Sequence, residues 1–396
     1  MPPVSSSLSS SSPSTRELSG CSDCFSGFSV AWSCLVVIGL CTYVSFHPNV
    51  PRPNLSFWQK IWRRVQLTIV ALIAPELIFA FAVRQYFVAR WFVKTRCSPN
   101  EKVSMTHGFF LAMGGFITPS NHPVVGDPER LNKYIKGIQD VAENEIKDKS
   151  KKDYLAKILT LLSVLDFLAN LVQRTINQAP VSPLENITLG FIFIYVLTLC
   201  FWWHKPQDVD LPIRIQPVFQ SARLTDTETG EEASTVSPPR SWKIFSAADL
   251  NGAVFGNYPD FKPQEFQAVP EFWSVPAGGG PKPLPLVFAL EIIAATAFGA
   301  IHCAAWTTTL PSQIELQIWR TSALFITCFP ILCAVLLKAS GPYRSDVASS
   351  LRRKVLVYIN YGLLALYIVA RFSLLIVSFT SLRTSLATDL KCCRTN

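Results

Sequence analysis

The chain has 396 residues, of which 49% are hydrophobic and 16% are charged, and it carries a net charge of +9. Soluble domains average about 25% charged residues, so this composition, with a mean hydropathy of +0.28, argues against soluble domains and favours a membrane protein. The basic residues lie beside apolar runs, which is typical of the cytoplasmic ends of membrane spans rather than of a phosphate-binding groove. We therefore expect the lipid bilayer as a partner, and no nucleic acid.

The chain begins with a polar tail, which two apolar runs follow. Residues 1–26 are rich in serine and predict a disordered tail without the basic start of a signal peptide. Residues 27–46 are long enough for a hydrocarbon core, which needs about 20 apolar residues, and predict a retained first span. Residues 65–83 predict a second span, in which Pro75 kinks the helix and opens space beside Glu76.

Five more apolar runs bring the number of predicted spans to seven. The run 158–172 is short, whereas 187–203 and 321–337 contain no charged residue. The other two runs, 284–306 and 355–380, contain ionisable residues.

The basic residues also predict the orientation of the spans. Segments 47–64 and 338–354 are strongly basic, so we expect both in the cytoplasm. With seven spans, the basic segment 84–106 would lie on the non-cytoplasmic side. An additional crossing through 105–118 would make the span count consistent with the rule that basic segments are cytoplasmic. That stretch is short for a span, and a re-entrant segment is the alternative. We predict an all-α polytopic membrane helix bundle with about 7–8 transmembrane helices, and expect it in the endoplasmic reticulum.

The spans divide the chain into two membrane halves separated by a long polar loop. The first half, 27–203, contains a polar loop at 119–157, and the second half is 284–380. Between them, 204–283 has seven basic and ten acidic residues with many Pro and Gly, and predicts an extramembrane insert. Residues 381–396 form a C-terminal tail.

Ionisable residues within the predicted spans are the first candidates for chemistry. A central aspartate costs at least ~2.5 kcal/mol in a membrane, so such residues usually face a cavity or a charged partner. We interpret the three acids and the histidine as candidate catalytic residues, the alternative being a buried pair or a side chain that reaches the membrane surface. The five ionisable residues are Glu76, Asp166, Glu291, His302 and Arg371.

Two of these candidates share one face of a predicted helix. Glu291 and His302 are eleven positions apart, and Trp306 follows four positions later, which places all three on one stripe. At 1.5 Å of rise per residue the two ionisable residues are ~16 Å apart, so we expect them at two depths of one cavity. The alternative is a core stripe with one satisfied histidine.

The sequence predicts neither a metal site nor another cofactor. Cys21 and Cys24 have the spacing of a zinc-ligand pair but lack a second pair. The chain contains no Gly-rich phosphate loop, no G-x-S-x-G and no H-E-x-x-H. The aspartate-rich magnesium motif of ionisation-type terpene synthases is also absent.

A series of short motifs, in their order and spacing, resembles a large family of fungal polytopic membrane proteins. No single motif is diagnostic, but the series extends over about residues 41–380. The motifs are CTYVSFHPNVP (41–51), ALIAPEL (71–77), HGFFLAMGGF (107–116), IKDKSKKDYLAK (146–157), PLENITL (183–189), FWWHKP (201–206), GAIHCAAW (299–306) and PSQIELQIWR (311–320).

This family is similar to the membrane-bound terpene cyclases of meroterpenoid biosynthesis, the type associated with ascofuranone and macrophorin. The resemblance implies an enzyme that cyclises a hydrophobic prenylated substrate by protonating an alkene or an epoxide, without a metal. A desolvated carboxyl group stays protonated at higher pH, and Glu76 fits this role, with Glu291 or Asp166 as alternatives. His302 would orient the acid or take the final proton. The candidate aromatic contacts of the carbocation are Trp202, Trp203, Phe298 and Trp306.

The chain departs from the family pattern, and two other functions stay open. Asp166 stands where we expect tryptophan, and Ser163 where we expect glutamine, which puts the role of 158–172 in doubt. An ion-coupled transporter would use membrane carboxylates and broken helices, but it predicts an internal repeat that the sequence does not contain. A non-catalytic membrane scaffold would pair every intramembrane acid with a base, and Arg371 is the only deeply placed base in the predicted spans.

Overall fold

Helices account for nearly all of the regular structure. The computed structural model describes residues 19–96, 103–125, 128–150, 154–178, 181–217, 252, 254, 256, 258, 261–274, 285–308, 310–340 and 347–394. The helices are α1 (Ser19–Ser45), α2 (Phe57–Ile73), α3 (Pro75–Arg96), α4 (Met105–Ala112), α5 (Pro128–Asp140), α6 (Glu143–Lys149), α7 (Tyr154–Ile176), α8 (Pro183–Phe201), α9 (Pro285–Cys303), α10 (Gln313–Ser340) and α11 (Val347–Arg394). Two-residue strands, β1 (Phe116–Ile117) and β2 (Ile213–Arg214), pair in parallel.

Six of the described helices are long and apolar enough to cross a membrane, which confirms the all-α, multi-pass prediction. They correspond to six of the seven predicted runs, with the short run 158–172 extended to a full helix. The candidate spans are Phe28–Ser45, Leu155–Ile176, Pro183–Phe201, Pro285–Cys303, Gln313–Leu336 and Tyr358–Leu382.

The turn between α7 and α8 illustrates how local sequence ends one span and begins the next. The hydroxyl of Ser182 accepts a hydrogen bond from the Glu185 N–H, and the Glu185 carboxylate accepts one from the Ser182 N–H. This capping box satisfies N–H groups that the first helical turn leaves without partners. Arg174 at the end of α7 pairs with Glu185 at 2.7 Å, so the same carboxylate fixes both helix ends.

The remaining predicted span, 65–83, is broken into two helices. Helix α2 ends at Ile73, α3 begins at Pro75, and the two are bent by 105°. Proline is favoured at a first helical position, because its missing N–H would have no partner there. The Ala74 N–H still donates to the Val70 carbonyl, so Pro75 starts a new helix instead of kinking a continuous one.

The additional crossing expected through 105–118 is not present. Helix α4 has only eight residues, which span ~12 Å, and seven of them are buried. Gly114 then takes φ +74°, which turns the chain into β1. A stretch can be apolar because protein buries it rather than lipid, and α4 is buried in this way against α3. Gly108 permits that contact, since a Cβ there would lie 2.7 Å from the Ala89 carbonyl oxygen.

Polar segments from distant parts of the chain meet at one end of the bundle. Asn49 Nδ2 donates to the Pro270 carbonyl at 2.8 Å, and Ser150 Oγ donates to the Gln207 carbonyl at 3.0 Å. These segments follow α1 and α8 and precede α7, so those three helix ends lie on the same side of the bundle. We call this assembly the polar cap; its segments are 46–56, 104–125, 141–150, 202–217 and 261–274.

Close approach of α9 and α10 leads to a stability prediction at Gly299. A Cβ there would lie 2.5 Å from the Thr327 Cα, whereas a Cβ at Gly362 on α11 would meet no atom within 4 Å. Small residues let membrane helices approach closely, so Gly299→Ala is expected to lower the free energy of unfolding by about 1–3 kcal/mol. Gly362→Ala is the matched control, and we expect it to be neutral or stabilising by up to about 1 kcal/mol. Thermal unfolding in detergent checks both, and equal melting temperatures would contradict the prediction.

Candidate functional site

Ionisable side chains from three helices meet inside the bundle. Glu76 lies in the first turn of α3, His302 lies near the end of α9, and Tyr367 and Arg371 lie one turn apart on α11. Phe298 lies one turn before His302. We call these five residues the central cluster.

Arg371 connects the cluster to the broken helix. Its side chain is fully enclosed, with 1% exposure. Nε donates to the Ile73 carbonyl at 2.8 Å, and Nη2 donates to the Leu72 carbonyl at 3.4 Å. The carbonyls of a last helical turn have no partners within their own helix. Arg371 therefore caps the end of α2 and stabilises the break before Pro75.

His302 is held by hydrogen bonds at both ring nitrogens. Nδ1 lies 2.8 Å from the Phe298 carbonyl oxygen, which can only accept, so Nδ1 is the protonated nitrogen. Nε2 is then the acceptor, and Arg371 Nη1 donates to it at 3.3 Å. Both ring nitrogens are therefore engaged, and His302 contacts Arg371 directly.

Glu76 has one engaged and one unengaged carboxylate oxygen. The Tyr367 hydroxyl donates to Oε1. Oε2 is buried and has no hydrogen-bond partner among the residues that the structure describes. Arg371 also attracts the carboxylate electrostatically. The cluster thus fixes the orientation of the carboxyl group while leaving one of its oxygens unused.

Aromatic rings surround the cluster. The guanidinium carbon of Arg371 lies 4.7 Å from the ring centroid of Phe298 and 5.7 Å from that of Phe191. The rings of Phe329 and Tyr367 are 4.7 Å apart. Aromatic faces interact favourably with cations, and two of these rings contact the Arg371 guanidinium.

Two predicted acids lie outside the central cluster. Glu291 shares α9 with His302 but pairs with Arg84 at 3.5 Å between Oε1 and Nε. Asp166 is exposed on α7, where it accepts a hydrogen bond from Asn170 at 3.2 Å. The structure therefore brings Glu76 and His302 together and leaves Glu291 and Asp166 apart from them. The sequence placed Glu291 and His302 on one stripe, but the two side chains have different partners.

Of the four predicted aromatic contacts, Phe298 is the one that the structure places at the cluster. Trp202 is buried near the polar cap, with its ring 5.4 Å from Phe81. Trp203 is exposed. Trp306 is partly exposed and stacks on Arg320, whose guanidinium carbon lies 5.1 Å from its ring centroid. The three predicted tryptophans therefore lie away from the central cluster.

The sequence reasoning missed Tyr367, although a signal for it was present. Tyr367 and Arg371 are four positions apart, so they occupy the same face of one helix. A tyrosine one turn from a membrane arginine indicates a polar site with two donors, and both donors do point at α2 and α3.

A second buried polar network, centred on Lys205, lies in the polar cap. Lys205 Nζ donates to the His47 carbonyl and to Gln85 Oε1, the latter at 2.7 Å, and lies 4.1 Å from the Trp202 ring centroid. Gln85 in turn donates to Asn49 Oδ1 at 2.8 Å. Burial holds the pKa of Lys205 well below its ordinary value, and burial with the nearby Lys205 lowers the pKa of His47 in the same direction.

The described residues include no group of three His, Cys, Asp or Glu side chains arranged to hold a metal ion.

A family model described as "Family of unknown function (DUF8562)" matches residues 3–222, which is more than half of the chain. The matched range includes Glu76 and Lys205, whereas His302, Tyr367 and Arg371 lie beyond it. Neither a comparison with curated proteins nor one with solved structures found a match.

Proposed function

The chain belongs to this family of unknown function, and we propose that it is an integral membrane terpene cyclase that works without a metal. Its substrate is a hydrophobic prenylated small molecule, and its reaction begins by protonating an alkene or an epoxide. We place the enzyme in the membrane of the endoplasmic reticulum, which co-fractionation with microsomes tests. The family similarity of the motif series and the chemistry of the central cluster support this proposal.

The observation that carries the proposal is the unengaged Oε2 of Glu76. A general acid needs a carboxyl oxygen that can present its proton to the substrate, within hydrogen-bond reach of the reacting atom. Oε1 of Glu76 is held by Tyr367, so the proton of the neutral acid resides on Oε2. His302, Tyr367 and Arg371 are at most 3% exposed, so the cluster is shielded from bulk water that would otherwise trap a carbocation.

The proposed reaction uses Glu76 twice. The proton leaves Oε2 for the terminal alkene carbon or for the epoxide oxygen, whose C–O bond then breaks. The π electrons of the next alkene form the new C–C bond, and the positive charge moves along the chain. The final cation loses a proton from carbon to the Glu76 carboxylate, which restores the acid. His302 has no free nitrogen for this last step.

Arg371 and Tyr367 favour the first proton transfer. When Glu76 gives up its proton, its carboxylate is stabilised by the donated hydrogen bond from Tyr367 and by the positive charge of Arg371. Hydrogen bonds to a charged group are roughly twice as strong as those between neutral groups. Both residues therefore stabilise the conjugate base that forms as the carbocation appears.

A transporter is the second candidate, because a broken membrane helix beside a carboxylate is also typical of transporters. In such proteins the free carbonyls at the break coordinate the coupling ion. Here the carbonyls of Leu72 and Ile73 already accept hydrogen bonds from Arg371 instead of facing an ion. The geometry therefore favours the cyclase.

The test is cyclisation of a farnesylated phenol, or of its epoxide, by microsomes that contain the protein. Wild type is expected to form a cyclic isomer of the substrate. Glu76→Gln keeps the side-chain shape and the acceptor for Tyr367 but has no acidic proton, so we expect its turnover to fall by about 10²–10⁴.

Asp166→Asn is the matched control, because it makes the same chemical change on an exposed face, and its turnover should equal that of wild type at equal protein in the membrane. Absence of a cyclic product from every prenylated substrate tried would remove the basis of the cyclase proposal. Full activity of Glu76→Gln would reject Glu76 as the acid.

A further inference from the structure

Helix α2 has two faces of opposite character. One face carries four apolar residues, spaced four, three and four positions apart, so that they lie within about 60° of arc around the helix axis. They are Trp58, Trp62, Val65 and Ile69. All four are exposed, Trp58 at 74% and Trp62 at 62%. We call these four residues the α2 stripe.

The charged side chains of α2 point the other way and are paired. Arg63 forms two hydrogen bonds with the Glu271 carboxylate of the polar cap. Arg64 pairs with Asp208 at 2.5 Å. The basic residues of α2 are thus neutralised by the cap, and the α2 stripe on the opposite side is left as an apolar surface.

The contacts of Arg64 indicate the depth at which α2 enters the membrane. Its Nη2 donates to the Tyr43 carbonyl at 3.1 Å, and its guanidinium carbon lies 4.5 Å from the Tyr43 ring centroid. Tyr43 is two residues from the end of α1, so Arg64 lies at the membrane surface on the side of the cap. Exposed aromatic residues at the cap-side ends of other spans lie at this surface too, as an interfacial belt requires; they are Tyr43, Trp203 and Tyr358.

From this level α2 descends no more than half-way into the membrane. Residues 65–73 contain no charge, and nine residues advance ~14 Å along the helix axis, which limits the descent to about half of a ~30 Å hydrocarbon core. The helix end then meets Arg371, which lies near the middle of the span Tyr358–Leu382.

Helix α3 returns to the side from which α2 came. The bend of 105° at Ala74 is larger than a right angle. Eleven residues after Ala74, Gln85 contacts Asn49 and Lys205, both of which belong to the polar cap, so α3 does not continue the descent. Both ends of the α2–α3 pair therefore lie on the cap side.

We infer that α2 and α3 form a re-entrant pair whose α2 stripe is embedded in the leaflet on the side of the polar cap, and that the chain crosses the membrane six times. With six crossings the basic segments 47–64, 84–106 and 338–354 all lie on the cap side, which is then the cytoplasmic side. The charge distribution thus needs no crossing through 105–118.

One consequence rests on the proposed function. The re-entrant pair carries Glu76 to mid-membrane depth, and the α2 stripe is a lipid-facing surface that leads from the membrane surface to this residue. A prenyl chain dissolved in the cap-side leaflet reaches the central cluster along α2, without passing through water.

The number of crossings is tested by epitope tags at both ends of the full chain in sealed microsomes. Six crossings place both tags on the luminal side, so external protease should spare both until detergent is added. A pair that crosses as one bent span gives seven crossings and puts the tags on opposite sides. Cleavage of one tag only, or of both tags, would overturn the inference.

Occupancy of the α2 stripe is tested with a hydrophobic diazirine photolabel in phosphatidylcholine vesicles that contain the protein. Residues 57–73 are expected to take up label at the stripe, to a degree comparable with the outward face of α7, which includes Leu161 and Leu165. A second copy or a protein partner over the stripe would leave α2 unlabelled and overturn the inference. Neither readout depends on catalysis, so failure of the cyclase proposal would leave both results interpretable.

Discussion

Arg371→Met is expected to destabilise the protein by about 3–5 kcal/mol, which is the range for removing one partner of a buried charged network. Methionine fills a similar volume but leaves the carbonyls of Leu72 and Ile73 and the Nε2 of His302 without their donor. It also removes the positive charge that attracts the Glu76 carboxylate. The measurement is the free energy of unfolding in mixed detergent micelles.

Arg320→Met is the matched control for this prediction. Arg320 also donates to a backbone carbonyl and also stacks on an aromatic ring, that of Trp306, but both contacts are exposed. Exposed interactions of this kind contribute at most about 1 kcal/mol. Comparable losses for the two variants would show that Arg371 does not hold the break between α2 and α3.

A double-mutant cycle separates the two roles of Arg371. If the main role of Arg371 is its electrostatic interaction with Glu76, the double variant Glu76→Gln/Arg371→Met should lose less free energy of unfolding than the two single variants together. The difference, which is the coupling energy, is expected to be about 0.5–3 kcal/mol. If the two losses in free energy of unfolding are additive, Arg371 stabilises the protein only through its hydrogen bonds to the carbonyls of α2. We expect coupling, because Glu76 accepts a hydrogen bond from Tyr367, which lies one turn from Arg371 on α11.

Sequence predicted the spans well because crossing a membrane depends on a local property, the length of an apolar run. That property was misleading at 105–118, where the apolar residues of α4 are covered by α3 and by other segments of the cap rather than by lipid. Sequence also predicted a kink at Pro75 within one span, but not the division into two helices bent by 105°. The direction of the chain after Ala74 is set by contacts to α11 and the cap, whose partner residues are 298 and 120 positions away in the sequence.

The candidate site was predictable in part for the same reason. Each ionisable residue in a span stood out on its own, and Glu76, His302 and Arg371 do meet. Which of these residues meet depends on how the helices pack. The sequence therefore could not distinguish Glu291 and Asp166 from Glu76 as the candidate acid. The pairing of Glu291 with Arg84 was hidden because Arg84 lies outside the predicted span 65–83.

The Lys205 network predicts an unusual dependence of stability on pH. Because burial lowers the pKa of Lys205, the folded state binds a proton less readily than the unfolded state, whose lysine titrates near pH 10.4. Stability therefore rises as pH increases from neutral towards 10.4, and it is lost as pH falls. A shift of one pKa unit corresponds to 1.36 kcal/mol, so raising pH from 7 to 9 stabilises the protein by up to about 2.7 kcal/mol through this group.

Lys205→Met is expected to abolish this alkaline gain in stability, while Lys262→Met, which changes an exposed lysine of the cap, should retain it.

His47 adds a second slope to the dependence of stability on pH, below about pH 6.5, since its pKa is also lowered and its unfolded form binds a proton there. That acid slope should persist in Lys205→Met, because the His47 imidazole stays buried, which separates the two titrations. The measurement is the free energy of unfolding from pH 5 to pH 9. A wild-type curve that is flat from pH 7 to pH 9 would mean that Lys205 remains charged in the cap, held there by the Trp202 and Phe81 rings and by its two carbonyl acceptors.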